Sequence, residues 1–163
     1  MCAGNLDQVT PSPTTENDHA AAVSEMERQF AALFVQARRA IRERAALIHP
    51  DLTVLGFHTL STLVRRGPQQ QSHLADWLSV DKAAMSRTVT HLVDLGLADR
   101  SQDPRDRRAQ QIAVTDDGQS RFEMISAHQR AHLHERLGTW PAEDVRQLAG
   151  LLARFNETAA DGD

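Results

Sequence analysis

In this 163-residue sequence, two groups of side chains have the types and spacing to do chemistry. Lys82, Ala83, Ser86, Arg87 and Thr90 recur at helical spacing and would share one face of a helix, mixing hydrogen-bond donors with small residues. Small side chains let a helix lie deep in the major groove of DNA, where Arg87 and Ser86 would reach base edges or phosphates. An ordinary solvated helix face has the same composition, and the helix alone does not separate the two readings. The second group is Arg105, Arg107 and Arg108, in a loop that Asp103-Pro104 initiates as a turn and that carries four arginines if Arg100 is counted. Arginine on a protruding loop suits the narrow minor groove, where the negative potential is strongest. A lone arginine-rich loop is usually only solvated surface. Placed one strand after a helix-turn-helix, it reads as a wing.

Other chemistries have poorer candidates. His128 and His132 are spaced i, i+4 and could address one metal ion, with His134, His49 and His58 elsewhere. A tetrahedral zinc site needs about four ligands, and the only cysteine, Cys2, stands near the N-terminus. Solvated or pocket-lining histidines are the preferred reading, and a metal-responsive protein of the same fold is the alternative. The sequence has no Gly-rich phosphate loop, no nucleophile-elbow serine motif and no His-Glu-x-x-His. It is therefore expected not to be an enzyme and to need no cofactor.

The elements that must position the two basic groups lie in the stretch from Ser72 to Thr115. Ser72 can cap a first short helix that buries Leu74, Ala75 and Leu78, and Ser79 and Val80 make a turn. Asp81 caps a second helix running to about Leu95, with Met85, Val89, Leu92 and Val93 facing inward and Gly96 as the stop. Leu97 to Arg100 and the alternating Gln110, Ile112 and Val114 read as antiparallel strands flanking the basic loop. That layout is a winged helix-turn-helix. The expected fold is mainly α with a small two- to three-stranded β wing.

These residues resemble the multiple-antibiotic-resistance (MarR) family of regulators over roughly Leu33 to Phe155. The resemblance is carried by LADWLSVDKAAMSRTVTHLVDLGL, by the wing signature DPRDRRAQQIAVT with Asp106 and Arg108 as its Asp-x-Arg element, by TDDG at Thr115 to Gly118, and by LTVLGFHTLSTL upstream. It departs from the family at Gly56, where a Gln is common, and at Trp140, where a Ser or Thr often caps the last helix. The resemblance implies a homodimeric repressor that binds a palindromic operator on double-stranded DNA. Asp106 would orient the wing arginines. It also implies a small aromatic or phenolic effector, for which His58, Arg65 and His132 are the candidate ligand-binding residues. A winged helix used only for protein interaction is a further alternative, and it would tolerate loss of Arg87 and Arg108.

Around the module, residues 1–19 are expected to form a disordered tail and residues 20–158 the winged-helix domain, with 159–163 frayed. The DNA-binding module is placed at about 53–115 and the dimerisation helices at about 20–48 and 116–158. The first helix carries a stripe of Met26, Phe30, Leu33, Phe34, Ala37, Ile41 and Ile48. Phe122, Ile125, Leu133 and Leu137 form the stripe of the penultimate helix, and Val145, Leu148, Leu151, Leu152 and Phe155 that of the last. Such faces exceed what one small winged helix can bury, which is why they are expected to pair across a two-fold axis.

Composition bounds the rest. With 40% hydrophobic residues, no tyrosine and 4% aromatics, any core must be aliphatic and Ala-rich. No signal peptide or membrane span is apparent, so a cytoplasmic location is expected. The net charge of −4 argues at first sight against nucleic acid. Thr62 to Ile112, however, holds eight basic and six acidic residues, leaving ten basic against sixteen acidic elsewhere. An acidic body carrying a weakly basic module fits specific binding with modest non-specific affinity.

Overall fold

The computed structural model describes residues 13–102 and 110–160. The chain divides into two units, one ending at Glu43 and one beginning at Arg44. The first is the long N-terminal portion of helix α1 (Pro13–Ile48). It begins inside the stretch expected to be a tail, because Pro13 supplies a φ suited to a first helical turn and nothing before Pro50 interrupts it. Its ion pairs, Arg28 with Glu25 and Arg39 with Glu43, lie on its own surface. Phe30 and Phe34 stack with ring centroids 6.2 Å apart.

The second unit holds the end of α1, then α2 (Val54–Arg66), β1 (Gln69–Gln70), α3 (Gln71–Trp77), α4 (Lys82–Asp94), β2 (Ala98–Gln102), β3 (Gln110–Val114), α5 (Asp116–Leu137) and α6 (Ala142–Ala160). Mainly helical with one small antiparallel sheet, it is a winged helix-turn-helix, as expected.

Local chemistry sets most boundaries. Thr53 caps α2 by accepting from Gly56 N at 3.0 Å, and Gly67, at φ 76°, lets the chain turn out of it. Gly56 sits where a Cβ would lie 2.8 Å from Leu52 Cδ1, the end of a flexible side chain that would shift to admit it. The turn between α3 and α4 places Ser79 at φ 51°, and Val80 N bonds back to Ala75 O at 3.0 Å. Trp77 leaves α3 under the guanidinium of Arg66, 4.4 Å from the ring centroid, tying α2 to α3.

Two boundaries differ from expectation. Ser72 does not cap α3: the helix begins at Gln71 behind Gln70, which makes no side-chain cap bond. The start is set by Gln69 and Gln70 pairing with Ile112 and Gln111 as β1, a long-range ladder that fixes the entry. At the other end, α6 continues to Ala160, into the stretch 159–163 expected to be frayed.

The sheet runs β1-β3-β2, with β3 in the centre. Ile112, 2% exposed, is its inward side chain and lies opposite both Gln69 and Arg100. The core is the fully buried set Leu60, Leu63, Leu74, Met85, Val89, Leu92, Leu97 and Ala98. Each such leucine contributes on the order of 1.5–3 kcal/mol. Thr59 is buried among them with its hydroxyl donated to Leu55 O at 2.9 Å, and among the described residues no buried side-chain N or O lacks a partner.

The sheet is joined to α5 at Thr115. Its Oγ1 accepts from Gly118 N at 3.0 Å and donates to Gly96 O at 2.7 Å, while its amide donates to Leu97 O at 3.2 Å. That approach requires glycine at position 118, since a Cβ there would lie 2.4 Å from Leu97 O. Gly118→Ala is therefore expected to destabilise the protein by about 1–3 kcal/mol despite alanine's better helix propensity. Urea unfolding measures this, and an unchanged or raised midpoint would refute the close-packing account.

Candidate nucleic-acid interface and effector cleft

The second helix of the helix-turn-helix is α4. Asp81 caps it, Oδ1 accepting from Ala84 N at 2.7 Å, and Met85, Val89 and Leu92 lie fully buried on one side. On the opposite side Lys82, Ala83, Arg87 and Thr90 are exposed, and Ser86 is half-buried at the edge. The sequence-predicted face is thus assembled on one helix surface. Arg87 makes no ion pair among the described residues, so its guanidinium is available to an incoming acceptor. The far end of α4 is anchored by His91, whose Nε2 donates to Asp51 O at 2.9 Å.

The wing strands β2 and β3 pair from Ala98↔Val114 to Gln102↔Gln110. Arg105, Asp106, Arg107 and Arg108 fall in residues 103–109, outside the described residues. Arg100, counted with them in the sequence, belongs instead to strand β2. Its Nη2 donates to Thr90 Oγ1 at 2.9 Å.

A second feature is a cleft of about 570 Å³ lined by α2, α5 and Arg44. Its apolar side is Phe57 and Phe122, with ring centroids 5.7 Å apart, together with Val64 and Leu133. Of the sequence-predicted ligand residues, Arg65 and His132 line it, whereas His58 does not. His58 is half-buried on α2, its ring in a T-shaped arrangement with that of Phe57, 6.0 Å between centroids. Three further arginines, Arg44, Arg130 and Arg136, line the cleft without any expectation from the sequence. They come from separated parts of the chain, and no spacing signal joins them to Arg65.

The cleft is electrostatically lopsided. Among the described residues none of its four arginines has a carboxylate within ion-pair distance, while Arg121 and Arg146 pair with Asp117 and Glu143 on their own helices. Glu123, the one acid in the lining, accepts from Gln119 at 2.8 Å. Partial burial pulls the Arg44 guanidinium below the usual arginine range, the mark of a cation short of solvent. The arrangement can receive an anion beside two aromatic rings. His128 and His132 do not extend into a metal cluster: among the described residues no three His, Cys, Asp or Glu side chains are grouped to hold an ion.

The fold and the α4 face together define a winged helix-turn-helix regulator. Residues 52–109 match the model of the MarR family. In sequence the chain is similar to the HTH-type transcriptional regulator YdgJ of Bacillus subtilis, 30% identical over 59% of this chain and 58% of that protein. It is also similar to the HTH-type transcriptional repressor MdtR of Bacillus subtilis, 23% identical over 84% of this chain and 87% of that one. Among solved structures, a MarR family protein from Bacillus stearothermophilus superposes with a TM-score of 0.75 at 17% identity, covering 86% of this chain and 97% of the other. Over its winged-helix module the chain is thus similar to MarR-family transcriptional regulators. No helix among the described residues is long and apolar enough to cross a membrane.

The Asp81 cap makes the interface testable at its foundation. Asp81→Ala removes the acceptor of the Ala84 amide in the first turn of α4 and is expected to cost about 1 kcal/mol. The loss should appear in chemical denaturation as a lower midpoint with an unchanged slope, and a wild-type midpoint would show that the cap is not what holds the start of α4.

Proposed function

We propose that the chain is a cytoplasmic, homodimeric, effector-responsive repressor that binds a pseudo-palindromic operator on double-stranded DNA. The observation that carries this reading is the α4 surface: a capped helix, rotationally fixed by its buried stripe, that exposes Lys82, Ala83, Arg87 and Thr90 beside Ser86. In this reading Arg87 and Ser86 enter the major groove. Arg105, Arg107 and Arg108, oriented by Asp106, reach the minor groove or its phosphates.

The dimer reading is supported by apolar surface that the protomer leaves uncovered. On α1, Met26 is 43% exposed, Leu33 54% and Phe34 62%, and on α6 Leu148, Leu151 and Leu152 are each more than a third exposed. Faces of this kind gain stability by pairing with a second copy, which would set two recognition helices about one DNA turn, ~34 Å, apart.

The effector reading is supported by the cleft. An aromatic or phenolic acid would lay its ring against Phe57 and Phe122 and offer its anionic group to Arg65, with His132 at the rim. Such a ligand releases DNA only through a difference in its affinity for the operator-competent and incompetent states of the dimer.

Two measurements test these assignments. Arg87→Ala should weaken operator binding by on the order of 1–3 kcal/mol, and Arg108→Ala should weaken it while lowering the salt dependence by about 0.9 for each phosphate no longer neutralised. Fluorescence anisotropy on folded dimers reads both, and wild-type operator binding by both variants would sink the assignment of Arg87 and Arg108 as DNA contacts. For the effector, calorimetric titration with salicylate and related phenolic acids should show binding that Arg65→Ala weakens. Saturating operator should weaken it by the factor through which the ligand weakens DNA binding. Equal ligand affinity with and without operator would eliminate effector-driven release.

A further inference from the structure

The sequence groups Arg100 with the wing loop, but strand pairing places it elsewhere. Arg100 lies in β2 directly opposite Ile112, two residues before the end of the strand, and it is exposed. Its guanidinium reaches back across the helix-to-strand turn and donates from Nη2 to the exposed Thr90 hydroxyl at 2.9 Å. Resting on that hydroxyl, it forms part of the surface of α4.

We propose that Arg100 is a phosphate contact that fixes the register of the recognition helix on DNA, held ready for that role by Thr90. The inference rests on the DNA-binding reading above and adds to it a residue and a division of labour. Three observations carry it. First, the guanidinium is uncommitted electrostatically: among the described residues it has no carboxylate within ion-pair distance, and the bond to Thr90 uses one of five N–H donors. A full positive charge and a donor fork therefore remain for an anionic acceptor.

Second, its position along the helix favours phosphate over base. Recognition helices of this kind contact base edges through their N-terminal residues. Arg87 and Ser86 stand in the N-terminal half of α4, whereas Thr90 lies in its C-terminal half, in a helix that spans Lys82–Asp94. A charge docked at Thr90 is displaced from the base-reading end toward the sugar-phosphate backbone.

Third, the Thr90 bond restrains a long side chain before any ligand arrives, so less freedom remains to be lost on binding. Thr90 then acts as a positioning residue, not itself a reader of DNA. A lysine at position 100 would keep the charge but lose the planar fork that can donate to Thr90 and a phosphate together.

The test uses the full-length chain and one duplex, selected from a random pool by the wild-type protein, with an unrelated duplex of equal length as second probe. Anisotropy titrations across a salt series give affinity and slope. Arg100→Ala is expected to bind both duplexes about tenfold more weakly for each half-site occupied, the loss typical of one hydrogen bond to a charged group. Its salt slope should fall by about 0.9 for each half-site occupied, or about 1.8 for a dimer on two. Thr90→Val keeps shape and charge but removes the acceptor. It should weaken binding about fivefold with a wild-type slope, a split that a merely structural role for the pair would not produce. Arg100→Gln, uncharged and of similar reach, carries the same expectation as Arg100→Ala should the alanine variant fail to fold. A wild-type slope for the uncharged variants would overturn the proposal, as would a loss confined to the selected duplex and absent from the unrelated one, which would make Arg100 a base reader. If the wild-type chain selects no duplex at all, it is the DNA-binding reading that fails, and the proposal falls with it.

Discussion

The complete burial of Met85, Val89 and Leu92 is the constraint on which the rest of the molecule depends. These three side chains sit on one side of a 13-residue helix and join Leu60, Leu63, Leu74 and Leu97 in the core, so α4 has a single rotational setting. Turning it by one residue, about 100°, would bring charged or hydroxyl groups into an aliphatic core with nothing to satisfy them. What faces outward is thereby decided by what must face inward. The Asp81 cap and the His91 bond to Asp51 then fix the helix along its own axis, one at each half.

The parts legible in the sequence are those decided locally. Thr53, Asp81 and Thr115 are recognisable as caps because each carries its own acceptor to an amide three residues on, and the inward stripe of α4 follows from its spacing alone. Where a distant element decides, local signals mislead. Ser72 has the chemistry of a cap, yet pairing of Gln69 and Gln70 with β3 starts the helix earlier; two glutamines announce no strand until Ile112 is beside them.

The candidate sites divide in the same way. The exposed face of α4 is readable because one helix supplies all of it. Of the cleft, Arg65 and His132 are legible in the sequence while Arg44, Arg130, Arg136 and the Phe57–Phe122 pair are not, since only the packing of α2 on α5 brings them together. His58 is adjacent in sequence to Phe57 and invites the same role, but it does not reach the cleft. Arg100 shows the converse: proximity in sequence to the wing arginines conceals its partnership with a threonine ten residues back, across a turn.

The Thr115 junction bears on how this protein could be recombined with its relatives. One hydroxyl holds Gly96, just beyond the recognition helix, and Gly118, inside the first turn of α5, while the threonine's amide holds Leu97. A hybrid regulator made by exchanging recognition modules between homologues has its natural-looking seam at the end of β3, where the strand stops and the helix begins. A splice there would part the threonine from one of its two glycines and oppose a foreign residue to the Leu97 carbonyl, which leaves no room for a side chain at position 118. The exchangeable cassette is accordingly longer than the DNA-reading part: it runs from the Thr53 cap through Gly118, and its proper boundary lies one turn into α5.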